Sequence, residues 1–220
     1  MNFGKAFSFV FDDPDWLKKI AIAGLVLLIP IIGEIVVLGW ALNISKRVMN
    51  QDPIVLPDIN FGDDLARGFM GFVIGFVYSL PITLISSFLG IMDGIVSANV
   101  DSNGILAVLT MVYSCFGLLS FIYGVLIALV IPAAYSLYLA EGTLGAAFNL
   151  SKIFGMLKVN IGAYILVFLG TLVAGLIVPF GFIACVIGVI FTAAYSQAVM
   201  GHFYGQAYLE YKKKQDILPA

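Results

Sequence analysis

The sequence predicts an all-α, polytopic membrane protein with about five to six membrane-embedded helices and a few short amphipathic helices at the interface. Three observations carry this reading. Of 220 residues, 61% are hydrophobic and only 11% are charged, against about half and about a quarter in soluble domains. The apolar residues gather in runs long enough to cross the ~30 Å hydrocarbon core of a bilayer. The basic residues fall in a few clusters between those runs, as they do in the cytoplasmic loops of membrane proteins. Such a chain has too few charges to cover a soluble surface and too much apolar side chain for one core. A net charge of −2 and no basic patch with interleaved aromatics argue against a nucleic-acid partner.

The elements follow in order along one integral membrane domain, residues 1–220. Residues 1–19 form an amphipathic N-terminal segment. Phe3, Phe7, Val10 and Phe11 share one face if residues 2–11 are helical; the alternation Phe7, Phe9, Phe11 suits a strand equally well. No short apolar core ends in a small-residue cleavage site, so these residues are expected to remain in the mature protein. Asp13 reads as a helix N-cap, with Pro14 at the first helical position and Asp15 complementing the helix N-terminus.

Residues 20–45 are apolar but broken at Ile29-Pro30-Ile31-Ile32-Gly33-Glu34. Pro30 removes a helical hydrogen bond and Gly33 loosens the next turn. The stretch is either one kinked span with Trp16 and Trp40 as interfacial anchors, or a hairpin turning at Pro30–Gly33 with both basic ends on one side. The hairpin, with the N-terminus inside, is the favoured reading. Residues 48–67 make a polar connection, and Asn60 or Asp58 caps the next helix.

Residues 68–140 form a helical hairpin interrupted by the polar patch Asp93, Asn99, Asp101, Ser102 and Asn103. The basic clusters make 104–140 a single net crossing. Residues 141–159 form an amphipathic interfacial helix, with Glu141, Lys152 and Lys158 set against Leu144, Phe148, Ile153 and Leu157. Residues 160–208 form a second hairpin, turning at Pro179-Phe180-Gly181, and 209–220 are a tail with Lys212, Lys213 and Lys214. Basic residues are missing from 92–103 and 179–181, so these connections face outward. The other loops and the C-terminus face the cytoplasm, which places the protein in the cytoplasmic (inner) membrane as a multi-pass chain.

Phe3-Gly4-Lys5-Ala6-Phe7 is similar to Leu144-Gly145-Ala146-Ala147-Phe148, and Phe61-Gly62-Asp63-Asp64-Leu65 shares part of the pattern. Each precedes a hairpin-like apolar stretch, which suits three units of interfacial helix plus hairpin; the abundance of Gly, Ala and Phe explains the likeness as well.

Two segments carry a family resemblance. Asp13-Pro14-Asp15-Trp16-Leu17-Lys18-Lys19 precedes the apolar run with Pro30 and Gly33. Leu56-Pro57-Asp58 is followed by Phe61-Gly62-Asp63-Asp64-Leu65, Gly68 and Tyr78-Ser79-Leu80-Pro81. Together they resemble the prokaryotic membrane proteins catalogued as domain of unknown function 4013, and the segment at Leu144–Phe148 is similar to that family's second half. The resemblance implies a multi-spanning fold from archaea or bacteria, and brings no activity or catalytic residue with it. Glu34 stands where such proteins are usually apolar.

Few residues suggest chemistry. Glu34 is a carboxyl group within an apolar run, a functional candidate for binding a cation or carrying a proton; at a turn near the interface it is simply hydrated. Pro30 and Gly33 build that break. His202 is the one histidine and could titrate near neutrality, or serve as an interfacial hydrogen-bonding group. A lone histidine excludes a multi-His metal site within the chain and leaves Ser and Thr without a paired base. Cys115 and Cys185 read as small apolar residues in helix packing. Gly71 and Gly75, and Gly201 and Gly205, have the four-residue spacing that lets helices approach closely. Tyr113, Tyr123, Tyr135, Tyr138 and Tyr164 either line a polar path or pack and anchor at interfaces.

The functional expectation is a non-catalytic integral membrane protein: a partner-binding or lipid-organising scaffold or accessory subunit, without a cofactor or metal. Its partners are the lipid bilayer and either a protein partner or a second copy of the chain. The alternative is a small ion or solute transporter or channel using the Pro30–Gly33 helix break and Glu34. An enzyme is the third and weakest expectation, because no paired catalytic groups are visible.

Overall fold

The computed structural model describes residues 1–99 and 103–217. Among them every regular element is helical. The α-helices are α1 (Phe3–Ser8), α2 (Trp16–Leu27), α3 (Ile32–Asn50), α4 (Phe61–Asn99), α5 (Asn103–Glu141), α6 (Leu150–Phe180) and α7 (Cys185–Ile217), with 3₁₀ turns at Phe9–Asp12, Leu144–Phe148 and Gly181–Ala184. Three helical stretches are long and apolar enough to cross a membrane: Phe61–Val96, Ala107–Glu141 and Leu150–Ile183. Of the expected outer polar patch, Asp101 and Ser102 fall outside the described residues.

Local chemistry sets the boundaries. Residues 13–15 form a turn, and α2 starts at Trp16 rather than at Pro14. Asp13 still serves this start: its Oδ1 accepts the Asp15 N–H at 2.8 Å. Asn60 is the residue at the head of α4, accepting the Asp63 N–H while its own N–H is taken by Asp64 at 2.9 Å, a reciprocal cap. At the end of α3, Gln51 adopts the left-handed conformation and the Gln51 and Asp52 N–H groups close onto Val48 and Arg47. Gly142 does the same after α5.

Between α2 and α3 the chain reverses. Ile31 has φ 65° and ψ −58°, and the Ile32 N–H donates to the Pro30 carbonyl at 2.7 Å. This is a γ-turn with positive φ, which costs a β-branched residue about 1–3 kcal/mol. Gly33 does not loosen the chain here. A Cβ at this position would run into the Val26 carbonyl, so the glycine lets α3 start hard against the end of α2.

Contacts divide the chain into two units. The first, residues 1–74 and 129–220, has α3 at its centre, with Val36, Val37, Trp40, Leu42 and Ile44 all fully buried. Glycines bring its neighbours to backbone contact. Gly39 lies against the Asp64 carbonyl of α4, and Gly68 of α4 lies against the Ile35 carbonyl. On the other side Gly201 of α7 faces the Ala41 carbonyl and Gly205 faces the Ser45 carbonyl. Gly71 abuts Leu42 and Leu38. Lipid supplies no net hydrophobic drive between helices, so close van der Waals packing of this kind holds embedded helices together. Inside α6, Asn160 leaves helical geometry (φ −138°, ψ 39°) and kinks the helix.

The second unit, residues 75–128, is the antiparallel pairing of the remaining parts of α4 and α5. Tyr113 donates to the Leu89 carbonyl at 2.8 Å and Tyr123 to the Tyr78 carbonyl at 2.7 Å. In the first unit Tyr135 donates to the Gly71 carbonyl. These three tyrosines therefore tie α5 to α4 rather than lining a shared path. Tyr164 is buried on α6, and its hydroxyl has no hydrogen-bond partner among the described residues.

Gly39→Ala is expected to lower the thermal unfolding midpoint in detergent, with a loss of about 1–3 kcal/mol from overpacking against backbone. Gly162→Ala, where an added Cβ meets open space, is expected to leave the midpoint unchanged or raise it slightly. Equal effects at the two positions would contradict the packing role of Gly39.

Candidate functional site

The two family-like segments meet in space. Lys19, in the second turn of α2, is 9% exposed. Its ammonium donates to Asp13 Oδ2 at 2.7 Å and to the Leu56 carbonyl at 2.9 Å. Trp40 of α3 donates its indole N–H to the Pro57 carbonyl at 2.9 Å. Burial pushes the Asp13 carboxyl up, but the Lys19 hydrogen bond and charge and the Asp15 N–H outweigh it and hold the group below the usual carboxylate range. The charged motif at 13–19 thus holds the Leu56–Pro57 connection against α2 and α3.

The N-terminal segment is strapped along α7. Gln206 accepts the Asn2 N–H and donates to the Asn2 carbonyl. Phe3 and Phe7 pack on Phe203, and Tyr195 donates to the Phe7 carbonyl at 2.6 Å. The Met1 ammonium pairs with Glu210, and that hydrogen bond foremost holds the Glu210 carboxyl below its ordinary range.

His202 lies under this strap. It is 5% exposed, stacked on Phe9 with ring centroids 4.3 Å apart. Gln206, fixed by Asn2, presents its second amide hydrogen to His202 Nδ1 at 2.9 Å. That hydrogen bond suits the neutral ring with its proton on Nε2. The sequence reading allowed titration near neutrality; the structure encloses the ring between Phe9 and the Gln206 amide. A cavity of about 360 Å³ opens beside it, with Lys5, Asp12, Asp13 and Lys19 among its walls.

Glu34 is elsewhere. It is exposed in the first turn of α3, next to the Pro30–Ile31 turn, and does not line the cavity beside His202. Pro30 contributes its carbonyl to the γ-turn, and Gly33 packs on α2. Gly75 is half-buried in α4, while Gly71, Gly201 and Gly205 face α3 as described above. The closest helix contacts use Gly39 and Gly68, which stand outside any four-residue glycine pair and which sequence spacing therefore missed. Cys115 is a free, exposed thiol. Among the described residues no cluster of three metal-ligating side chains forms.

The last turns of α7 lie in a lysine-rich region. Lys46 of α3 and Lys212 of α7 line one cavity together with Glu141. Lys152 pairs with that Glu141 at 2.7 Å, and Lys214 reaches Asn160 Oδ1 at 2.7 Å. The ends of α3 and α7 and the start of α6 therefore carry their positive charge to one place.

An all-helical chain with three membrane-length apolar helices and one lysine-rich end belongs to the class of helical membrane proteins. The chain is a member of the family described as Protein of unknown function (DUF4013), whose model matches residues 22–193. No curated protein matches the chain, and no solved structure does.

Proposed function

We propose that this protein is a non-catalytic, multi-span protein of the prokaryotic cytoplasmic membrane that organises anionic lipid at its cytoplasmic face. The observation that carries the reading is the gathering of Lys46, Lys152, Lys212 and Lys214 where α3, α5, α6 and α7 come together. All four are exposed, and juxtamembrane lysines each contribute about 1 kcal/mol of attraction to an anionic leaflet. The positive-inside rule puts this end, and with it the C-terminus, in the cytoplasm. Counting α7 and the α2–α3 hairpin with the three long apolar stretches gives five to six embedded helices. Exposed Leu25, Leu28, Ile29 and Ile32 on the hairpin are in keeping with insertion among acyl chains. Glu34, exposed at the tip of that hairpin, then has the role of a hydrated group at a turn.

Protein extracted in mild detergent should carry anionic phospholipid enriched about threefold or more over the bulk membrane, as lipid analysis would measure. Replacing Lys212, Lys213 and Lys214 together by Gln should remove most of the enrichment; a lipid composition equal to bulk would end the proposal.

The transporter alternative makes the opposite expectation for Glu34. Proteoliposomes are expected to show no proton or cation flux above protein-free vesicles. A flux abolished by Glu34→Gln would replace the scaffold reading with transport.

A further inference from the structure

The lysine-rich end contains a concave site as well as a diffuse charge. A cavity of about 360 Å³ lies where the ends of α3 and α5 meet the last turns of α7. Its polar lining is Lys46, Asn50, Glu141, Tyr208 and Lys212, with Met49 and Leu139 also in the wall. Glu141 is already neutralised by Lys152. Lys46 and Lys212 have no ion pair among the described residues, so two ammonium groups from different helices share the cavity with one carboxylate, which Lys152 already pairs. The partial negative charge of the α3 and α5 C-termini is blunted, because their last carbonyls accept the Gln51, Asp52 and Gly142 N–H groups. What remains is a site for an anion with several acceptor oxygens, flanked by the Asn50 amide and the Tyr208 hydroxyl as neutral donors.

Apolar surface leads away from it. Leu150 and Phe154 flank Lys152 on α6, and Ile161 and Ile165 continue along the same helix; all four are exposed. Leu150 and Phe154 share one face before the Asn160 kink, and Ile161 and Ile165 share one face after it. A ligand with a phosphate at the cavity and acyl chains along this track matches both features, whereas a free phosphate ion uses only the first.

We propose that this cavity seats the phosphodiester of an anionic phospholipid, held by Lys46 and Lys212, with its acyl chains along α6. The proposal rests on the lipid-organising reading above and gives it a defined site.

The test uses the full chain, delipidated in detergent. It is titrated with phosphatidylglycerol, with the matching phosphatidylcholine and with soluble glycerol phosphate, and bound molecules are counted by native mass spectrometry. The expected result is one tightly retained phosphatidylglycerol, whose Kd rises at least tenfold in the double variant Lys46→Gln, Lys212→Gln. Lys213→Gln, a lysine outside the cavity, should change it by less than twofold. An effect of Lys213→Gln as large as that of the double variant would overturn the site while leaving the lipid-organising reading standing. Equal retention of phosphatidylcholine would overturn both. Displacement of the bound lipid by an equal concentration of glycerol phosphate would show a soluble phosphate site instead, and would overturn the lipid assignment. All three lysines are exposed, so the variants are expected to fold, and unchanged far-ultraviolet circular dichroism checks this.

Discussion

Backbone-to-backbone contact along α3 is the constraint on which the first unit depends. A helix in lipid gains little by hiding apolar side chains from other apolar surroundings, so association rests on how closely two helices can approach. Gly39 and Gly68 remove the side chains that would hold α3 and α4 apart, and Gly201 and Gly205 do so between α3 and α7. With both neighbours pressed on α3, Trp40 is fully enclosed, and its indole N–H must find a partner. The Pro57 carbonyl is that partner. The connection between α3 and α4 is thus fixed by a polar group that close packing forces to be satisfied.

The same logic explains the charged motif of residues 13–19. A nearly buried ammonium is costly unless it is paired, and Lys19 is met by a carboxylate and a carbonyl. Its role in the structure is to close the start of α2 over the Leu56–Pro57 segment. The strap of residues 1–11 then covers His202, whose Nδ1 meets the Gln206 amide. Polar residues that look like candidates for chemistry in a list become, in the fold, the fastening between the N-terminal segment, the hairpin and α7. Lys46 and Lys212 are left without an ion pair among the described residues, which is why the functional proposal is placed at the cavity they share.

Sequence and structure agree best where periodicity and length decide the outcome. The helical class, the long apolar helices and the family were legible from composition and from motifs that lie close together in the chain. Gly39 and Gly68 were not legible: each is a single glycine whose significance lies in another helix. His202 was legible as the only histidine, but its environment was not, since Phe9, Lys5 and Gln206 reach it from distant parts of the chain.

By itself the sequence determined that this protein is helical and built for a membrane, because hydropathy, charge clustering and turn chemistry are local properties. Only the tertiary structure decided which glycines bring helices into contact, why Gly33 must be glycine, and that Glu34 stands exposed at a strained turn. It alone brought Lys46, Lys152 and Lys212 around Glu141 from three helices. Those outcomes depend on long-range approach between backbones, and such approach leaves no periodic mark in the chain that makes it.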